Sequence, residues 1–429
     1  QMARQGLDRM NDMGRFLPAA AVVVTVLLLA VRYRLPTRDR PWWVWAVLDT
    51  PALAAACGGL LAWAAPTWVA VPAHEILHPA FLFFAGWVGL EIGCGLDLRV
   101  VRRAAVVPFL NETAMALAAA AAVFAAAYAG SRLIPGMPPP MPAALMVLAG
   151  VCVAGPALPG TGAALSRRAG RGGFWNPSAA ASLAVLLAAT GSALAPWPAL
   201  ETIVPGWDVR VLLEIDSVFA RLLWAMGAGC LAGFVADLAT KDDFAPSGLY
   251  PQLAAVVLIA AGIAGAVGLE TLLVGTVAGF WLINATLRRL DILHVLERGA
   301  SLPRLLAPFL GGWLVGSSVG SAGFDIAAFG LVLLLVMFVR PAARILGRRV
   351  IQVGQHAARR RRPEPFSAAL AKIDELGILL AAVLTRLLEP AAGVGALAAV
   401  LLAQWLLGVG ASAWDQRKMG GKIEPPTRK

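Results

Sequence analysis

Long apolar runs separated by short polar or basic connections fill almost the whole chain. A helix that crosses a bilayer needs about 20 predominantly apolar residues. Thirteen segments read as such spans: 17–31, 42–64, 76–95, 105–129, 142–165, 177–196, 210–235, 248–267, 270–287, 305–320, 322–340, 368–388 and 392–413. The pattern predicts an all-α integral membrane protein. An odd count with a central seventh helix divides into six, one and six, which permits two inverted six-helix repeats. The expected units are a tail at 1–16, a first repeat at 17–196, a linking helix at 210–235, a second repeat at 248–413 and a basic tail at 414–429.

Basic residues set the orientation. Arg32, Arg34, Arg38 and Arg40, then Arg99, Arg102 and Arg103, then Arg167, Arg168 and Arg171, and later the run Arg359 to Arg362, fall in alternate connections. The intervening connections carry few, Arg132 among them. A miscounted span would scramble this asymmetry downstream of the error. The expected topology therefore has the N-terminus outside and the C-terminus in the cytoplasm, in a multi-pass cell-membrane protein.

Composition sharpens the class. Hydrophobic residues make up 59% and charged residues 14%, which excludes an ordinary soluble enzyme, a disordered chain and a coiled coil. The 44 Gly and 29 Pro sit in apolar runs that only membrane helices tolerate. The net charge of +11 lies on one side of a membrane, so nucleic acid is not an expected partner. Cys57, Cys94, Cys152 and Cys230 read as small core residues without metal spacing. Gln1 precedes Met2 and reads as a trimmed or appended start. No cleavable signal is expected, because Arg32 and Arg34 follow the first apolar run. No cofactor motif is present and no enzyme activity is expected.

The fifth span carries Ala154-Gly-Pro-Ala-Leu-Pro-Gly-Thr-Gly162. Pro156 and Pro159 remove two backbone donors, and Gly155, Gly160 and Gly162 loosen the chain beside Thr161. Backbone freed inside a bilayer must find protein, water or ions. The fifth helix is therefore expected to be discontinuous, as is its mate in the second repeat, the twelfth, which opens with Lys372, Asp374, Glu375 and Gly377. Ionisable groups at membrane depth are functional candidates by default.

His74-Glu-Ile-Leu-His78 matches H-E-x-x-H. On a helix the two histidines share a face and can bind Zn²⁺, with Glu75 as general base. Pro79 disfavours helical geometry at His78, and no second motif supplies a third ligand. A zinc-dependent intramembrane protease is thus a minor alternative.

Four stretches together resemble the monovalent cation:proton antiporter superfamily, especially its Kef-like and bacterial Na⁺/H⁺ exchanger branches. They are Leu82-Phe-Phe-Ala-Gly-Trp-Val-Gly-Leu-Glu91 with Gly95-Leu-Asp-Leu-Arg99, the unwound window 154–162, Gly268-Leu-Glu-Thr-Leu-Leu-Val-Gly-Thr-Val-Ala-Gly279, and Leu310-Gly-Gly-Trp-Leu-Val-Gly-Ser-Ser318. The resemblance implies a secondary transporter moving a monovalent cation or proton, packed as a homodimer through its first spans. It matches Arg340 to the family's basic residue in the eleventh span; a snorkelling interface arginine is the other reading. It also exposes a departure. The family carries its ion-binding acid pair in the sixth span, whereas this chain has Ser182 among Ala, Leu and Val, and no Asp or Glu from Thr113 to Leu200. A substitute acid would have to come from elsewhere, with Glu91, Glu112, Glu270 and Asp325 as candidates near span ends. The expectation is therefore a transporter fold with altered or lost ion coupling. The alternative is a non-transporting scaffold, sensor or subunit, with a protein partner at the cytoplasmic face.

Overall fold

The computed structural model describes residues 50–65, 67–99, 106–133, 142–154, 179–194, 217–241, 246–267, 269–299, 301–319, 324–343, 345 and 375–420. Every regular element among them is helical. In chain order these are α1 (Thr50–Ala64), α2 (Thr67–Cys94), α3 (Val106–Leu133), α4 (Pro142–Val153), α5 (Ala179–Leu194), α6 (Val218–Thr240), α7 (Pro246–Val267), α8 (Thr271–Ala285), α9 (Arg289–Gly299), α10 (Ser301–Val319), α11 (Ile326–Leu334), α12 (Glu375–Leu387) and α13 (Pro390–Gly420). A π-helical turn, Leu335–Val339, extends α11. The first expected span, 17–31, lies outside the described residues, as do the expected tail 1–16 and residues 421–429 of the expected tail 414–429, whose residues 414–420 continue α13.

The packing is that of a protein whose solvent is lipid. Thr113–Leu133, Val218–Thr240, Gly248–Gly265 and Ile326–Ala343 are each long and apolar enough to cross a membrane, and seven shorter apolar helices accompany them. In α6 the buried positions are Ala225, Gly229, Ala232, Gly233, Ala236 and Thr240. Phe219, Leu223, Trp224, Leu231 and Phe234 point outward, Phe219 at 69% exposure. Small residues inside and large apolar ones outside would be costly in water. In a bilayer, where tails are as apolar as Leu, close backbone packing drives association instead.

Two seams show that packing at its tightest. In the first, α1 lies on α10: a Cβ on Gly312 would overlap the Ala55 carbonyl, and one on Gly316 the Gly59 carbonyl. In the second, α2 lies on α8: a Cβ on Gly275 would overlap the Gly86 carbonyl, and one on Gly279 the Leu90 carbonyl. Residue numbers rise together across each seam, so both pairs run parallel. An inverted six-plus-one-plus-six layout turns the first pair into the second, since it exchanges α1 with α8 and α2 with α10. By contrast α4 and α5 run antiparallel, with Gly191 against Ala143 and Gly150 against Ala184. These directions agree with alternate crossings in which α9 does not cross.

Three local expectations need correction. The connection 287–305 contains a helix, α9, which buries Ile292, Val295 and Leu296 and exposes Leu290. Its apolar residues fall on one face of a polar segment, so a reading by total hydropathy passes over it. Second, α2 begins at Thr67 and continues unbroken through Pro72 and Pro79. Proline does not stop a membrane helix whose neighbours satisfy the freed carbonyls, so His78 is helical after all. Third, the turn at 335–339 is π rather than α.

Polar side chains collect at the helix ends. At one end Asp97 pairs with Arg289 at 3.1 Å. There Asn284 also accepts from the Leu98 amide at 2.9 Å and donates to the Leu96 carbonyl at 3.2 Å. At the other end Ser192 Oγ donates to Glu270 Oε2 at 2.8 Å, and Arg221 donates to the Ala193 carbonyl at 2.9 Å.

The seams predict a sharp contrast between glycines. Gly275→Val and Gly312→Val should lower the melting temperature in detergent strongly or prevent folding, because overpacking costs about 1–3 kcal/mol or more where only backbone could yield. Gly227→Ala, where a Cβ meets nothing within 4 Å, should melt at or slightly above wild type. Size-exclusion thermal melts of the three variants make the comparison.

Candidate functional site at the broken end of α4

The helix α4 is apolar on every side and ten of its twelve residues are buried, the pattern of a helix enclosed by others. At 1.5 Å per residue its length is about 18 Å, well short of a bilayer core of about 30 Å. Its last helical residue is Val153, and the Ala154 amide still bonds to the Gly150 carbonyl at 2.8 Å. A helix ending inside the bilayer leaves its last carbonyls without helical donors. Sequence makes this unavoidable for Cys152: the residue four on is Pro156, which has no N–H to give.

Arg340 supplies what the helix lacks. Its Nε donates to the Cys152 carbonyl at 2.9 Å and its Nη2 to the Ala154 carbonyl at 2.8 Å. The residue is 2% exposed, so it does not snorkel to the interface. The negative end of the α4 dipole and the guanidinium favour each other, and charge-assisted bonds are the strong ones. The π turn aims the side chain. The Arg340 amide bonds to the Leu335 carbonyl, five residues back, and this brings Arg340 onto the face that buries Leu335 and Val336 while Phe338 stays exposed. Single π turns of this kind recur at functional sites.

The same level is reached by α5 and α12. Gly150 of α4 faces the Ala184 carbonyl of α5, so Ala181 and Ser182 lie about one turn further on, beside the α4 end. Ala154 and Ala181 are fully buried and Ser182 is half-buried. The position where the resemblance places an acid pair thus stands at the break and carries no acid. Gly150 also faces Leu380 of α12, where a Cβ would lie 3.5 Å from the Leu380 Cδ1. The structure therefore brings Ser182 and Arg340 to one region, on which α12 packs through Leu380. Gly155, Pro156, Pro159, Gly160 and Thr161 lie outside the described residues. The side chain of Glu375 also does, as do those of His74, Glu75, His78 and Glu112. Among the described residues no group of three His, Cys, Asp or Glu could hold a metal ion.

The other candidate acids have structural partners. Asp325 caps α11 by accepting from the Ala327 and Ala328 amides at 2.8 and 3.2 Å. Glu270 precedes α8 and accepts from Ser192. Glu91, 5% exposed, accepts from Trp87 Nε1 at 2.9 Å near the end of α2. Sequence reasoning missed Cys152 as a participant, since its contribution is a carbonyl and only the missing N–H of Pro156 marks it.

The comparisons with known proteins bear on this geometry. No family model and no curated protein matches the chain. Among solved structures it is similar to the sodium proton antiporter MjNhaP1 of Methanocaldococcus jannaschii, with a TM-score of 0.54 and 16% identity. The likeness covers 96% of this chain and 99% of that one. The chain has an antiporter fold. At that identity the likeness reports architecture, and it extends from end to end.

The arginine–carbonyl cap predicts a measurable coupling. Arg340→Met should destabilise the protein by roughly 2–5 kcal/mol, because two buried carbonyls lose charged donors. Pro156→Ala restores an N–H four residues after Cys152, so the double variant should lose less than Arg340→Met alone. Melting curves of the four proteins in one detergent give the cycle; strict additivity would rule the coupling out.

Proposed function

We propose that the chain is a secondary transporter descended from cation:proton antiporters, with its solute crossing at the broken end of α4. The observation that supports this most directly is Arg340, buried and bonded to the Cys152 and Ala154 carbonyls within an antiporter fold. A protein keeping the fold only as a scaffold has no need to maintain an open helix end with a buried charge, which is expensive to hold in a membrane. Gly155, Pro156, Pro159, Gly160, Thr161, Ser182, Arg340 and Glu375 are the proposed pathway residues. The solute class is a monovalent cation exchanged for a proton. Coupling is altered, because α5 offers Ser182 where the family has its acid pair.

The second reading is a scaffold, sensor or subunit without flux, and the bare α5 is what favours it. In either reading the protein lies in the cell membrane with its N-terminus outside and its basic C-terminal tail in the cytoplasm. A homodimer is the expected assembly. Zinc proteolysis is the minor alternative, resting on the single H-E-x-x-H at His74, Glu75 and His78, whose side chains lie outside the described residues.

Proteoliposomes with a trapped pH dye separate the readings. A pH gradient is imposed, and Na⁺, K⁺ and Li⁺ are added in turn. Cation-dependent dissipation by wild type, reduced in Arg340→Lys of unchanged elution volume, is the expected result. A flat trace with all three cations from well-folded protein would refute cation:proton exchange, and a partner that co-purifies stoichiometrically would then identify the scaffold reading.

A further inference from the structure

We infer that the groove lined by α2, α6, α7 and α8 binds a membrane glycerophospholipid. One acyl chain lies along the groove, and a headgroup with a phosphate and a hydrogen-bond donor sits at its polar end. This goes beyond the transport reading and does not depend on it. The groove measures about 330 Å³, counting the part open to the surface. Small residues make it: Gly86 of α2, Ala232 and Ala236 of α6, Ala260 of α7, and Gly275 and Ala278 of α8. Among its described lining residues Thr271 alone has a polar side chain.

The groove has a direction. Gly229 of α6 meets Val274 of α8, and Gly233 meets the Ala278 carbonyl, so these helices run together. Gly86 of α2 meets Val257 and Ala261 of α7, while Gly265 meets Leu82, so α7 runs the opposite way. One end of the groove is therefore marked by Ala236, Leu253 and Ala278, and the other by Ala261 and Thr271. From Leu253 to Ala261 the axis advances about 12 Å, close to one leaflet of a hydrocarbon core of about 30 Å. An open, apolar groove of that length suits a chain laid in it rather than a compact polar molecule. Leu231, Val235 and Leu238 of α6 and Leu258, Ile259 and Ile263 of α7 are exposed, as residues facing lipid are.

The first end is polar. One turn beyond Ala236, about 6 Å along α6, stands Thr240, whose carbonyl accepts from Arg288 Nη1 at 3.5 Å. Lys241 follows and is exposed. Arg288 also pairs with Asp291 at 3.3 Å, and among the described residues Lys241 enters no ion pair. Two cations at the membrane surface favour a phosphate. Asp242 and Asp243 come next in the sequence, which weighs for a headgroup with a single phosphate over one of several negative charges. Gln252 stands one turn before Val256, on the face of α7 that brings Val256 and Ala260 to the groove. Its Oε1 is buried and has no hydrogen-bond partner. A buried acceptor left unpaired is costly, and an N–H or O–H on the headgroup satisfies it. Ethanolamine and glycerol headgroups carry such a donor beside the phosphate, whereas choline carries the phosphate alone.

The test uses the full chain, purified in mild detergent and stripped of native lipid. Dioleoyl phosphatidylethanolamine, phosphatidylglycerol and phosphatidylcholine are titrated in turn, with glycerophosphoethanolamine as the chainless headgroup. Bound lipid is counted by native mass spectrometry. The expected result is ethanolamine and glycerol lipids held about fivefold more tightly than choline lipid, the net worth of one hydrogen bond, and no binding of the chainless headgroup. Ala260→Leu, which fills the groove, should weaken the lipid at least about tenfold at unchanged elution volume. Gln252→Leu should abolish the headgroup preference. Equal binding of all three lipids by wild type would overturn the assignment, as would a preference that survives Gln252→Leu or lipid held undiminished by Ala260→Leu. Binding of the chainless headgroup as tightly as the lipid would overturn it in favour of a phosphate site. Ala260→Leu eluting as a smaller species would overturn it in favour of a second copy of the chain in the groove. Should Ala260→Leu fail to fold, wild type decides with a diazirine-bearing phosphatidylethanolamine. Crosslinks concentrated at residues 232–236 and 253–261 uphold the site, and crosslinks spread evenly over the exposed helices overturn it.

Discussion

The structure turns on a constraint that water normally hides: a backbone cut open inside a bilayer must have its carbonyls satisfied by the protein itself. Pro156 denies Cys152 its helical donor, and Arg340 answers from another helix with Nε on one carbonyl and Nη2 on the next but one. The geometry explains why an arginine and not a lysine stands there. Two acceptors on one helix end suit a planar fork of fixed donors, whereas an ammonium is a point charge. The π turn before Arg340 belongs to the same solution, since it brings the side chain onto the enclosed face.

Around this open centre the rest of the molecule is built for rigidity. The seams α1–α10 and α2–α8 bring backbones together at Gly312, Gly316, Gly275 and Gly279, with no side chain between them to rearrange. The seams flank α4 and α12 without including either. Beside these two glued pairs, α4 and α12 pack on each other through Gly150 and Leu380. The bonds from Glu270 to Ser192 and from Arg221 to Ala193 then tie α8 and α6 to α5 at one end only.

Much of this was legible in the sequence, for reasons that differ by element. Twelve of the thirteen expected spans coincide with described helices, because hydropathy responds to the membrane as a whole. The break in the fifth span is visible because proline chemistry is local. Arg340 was ambiguous: at the end of an apolar run, burial and snorkelling write the same letter, and only the position of Cys152 and Ala154 in space separates them. The helix α9 and the early start of α2 were hidden by the opposite error. The first buries a face without being apolar on average, and the second contains prolines that neighbouring helices render harmless. The π turn leaves no mark in composition at all.

The absence of acid on α5 is the deeper lesson, because it is a fact of sequence whose meaning is spatial. A lost carboxylate at a fixed position reads as lost function if position is all that counts. Membrane electrostatics is local over a few ångströms and indifferent to which helix brings the charge. The end of α4 carries partial negative charge, and Arg340 is bonded there to two carbonyls. On α5 itself Ala181, Ala184 and Ala188 are buried in the packing beside Ser182.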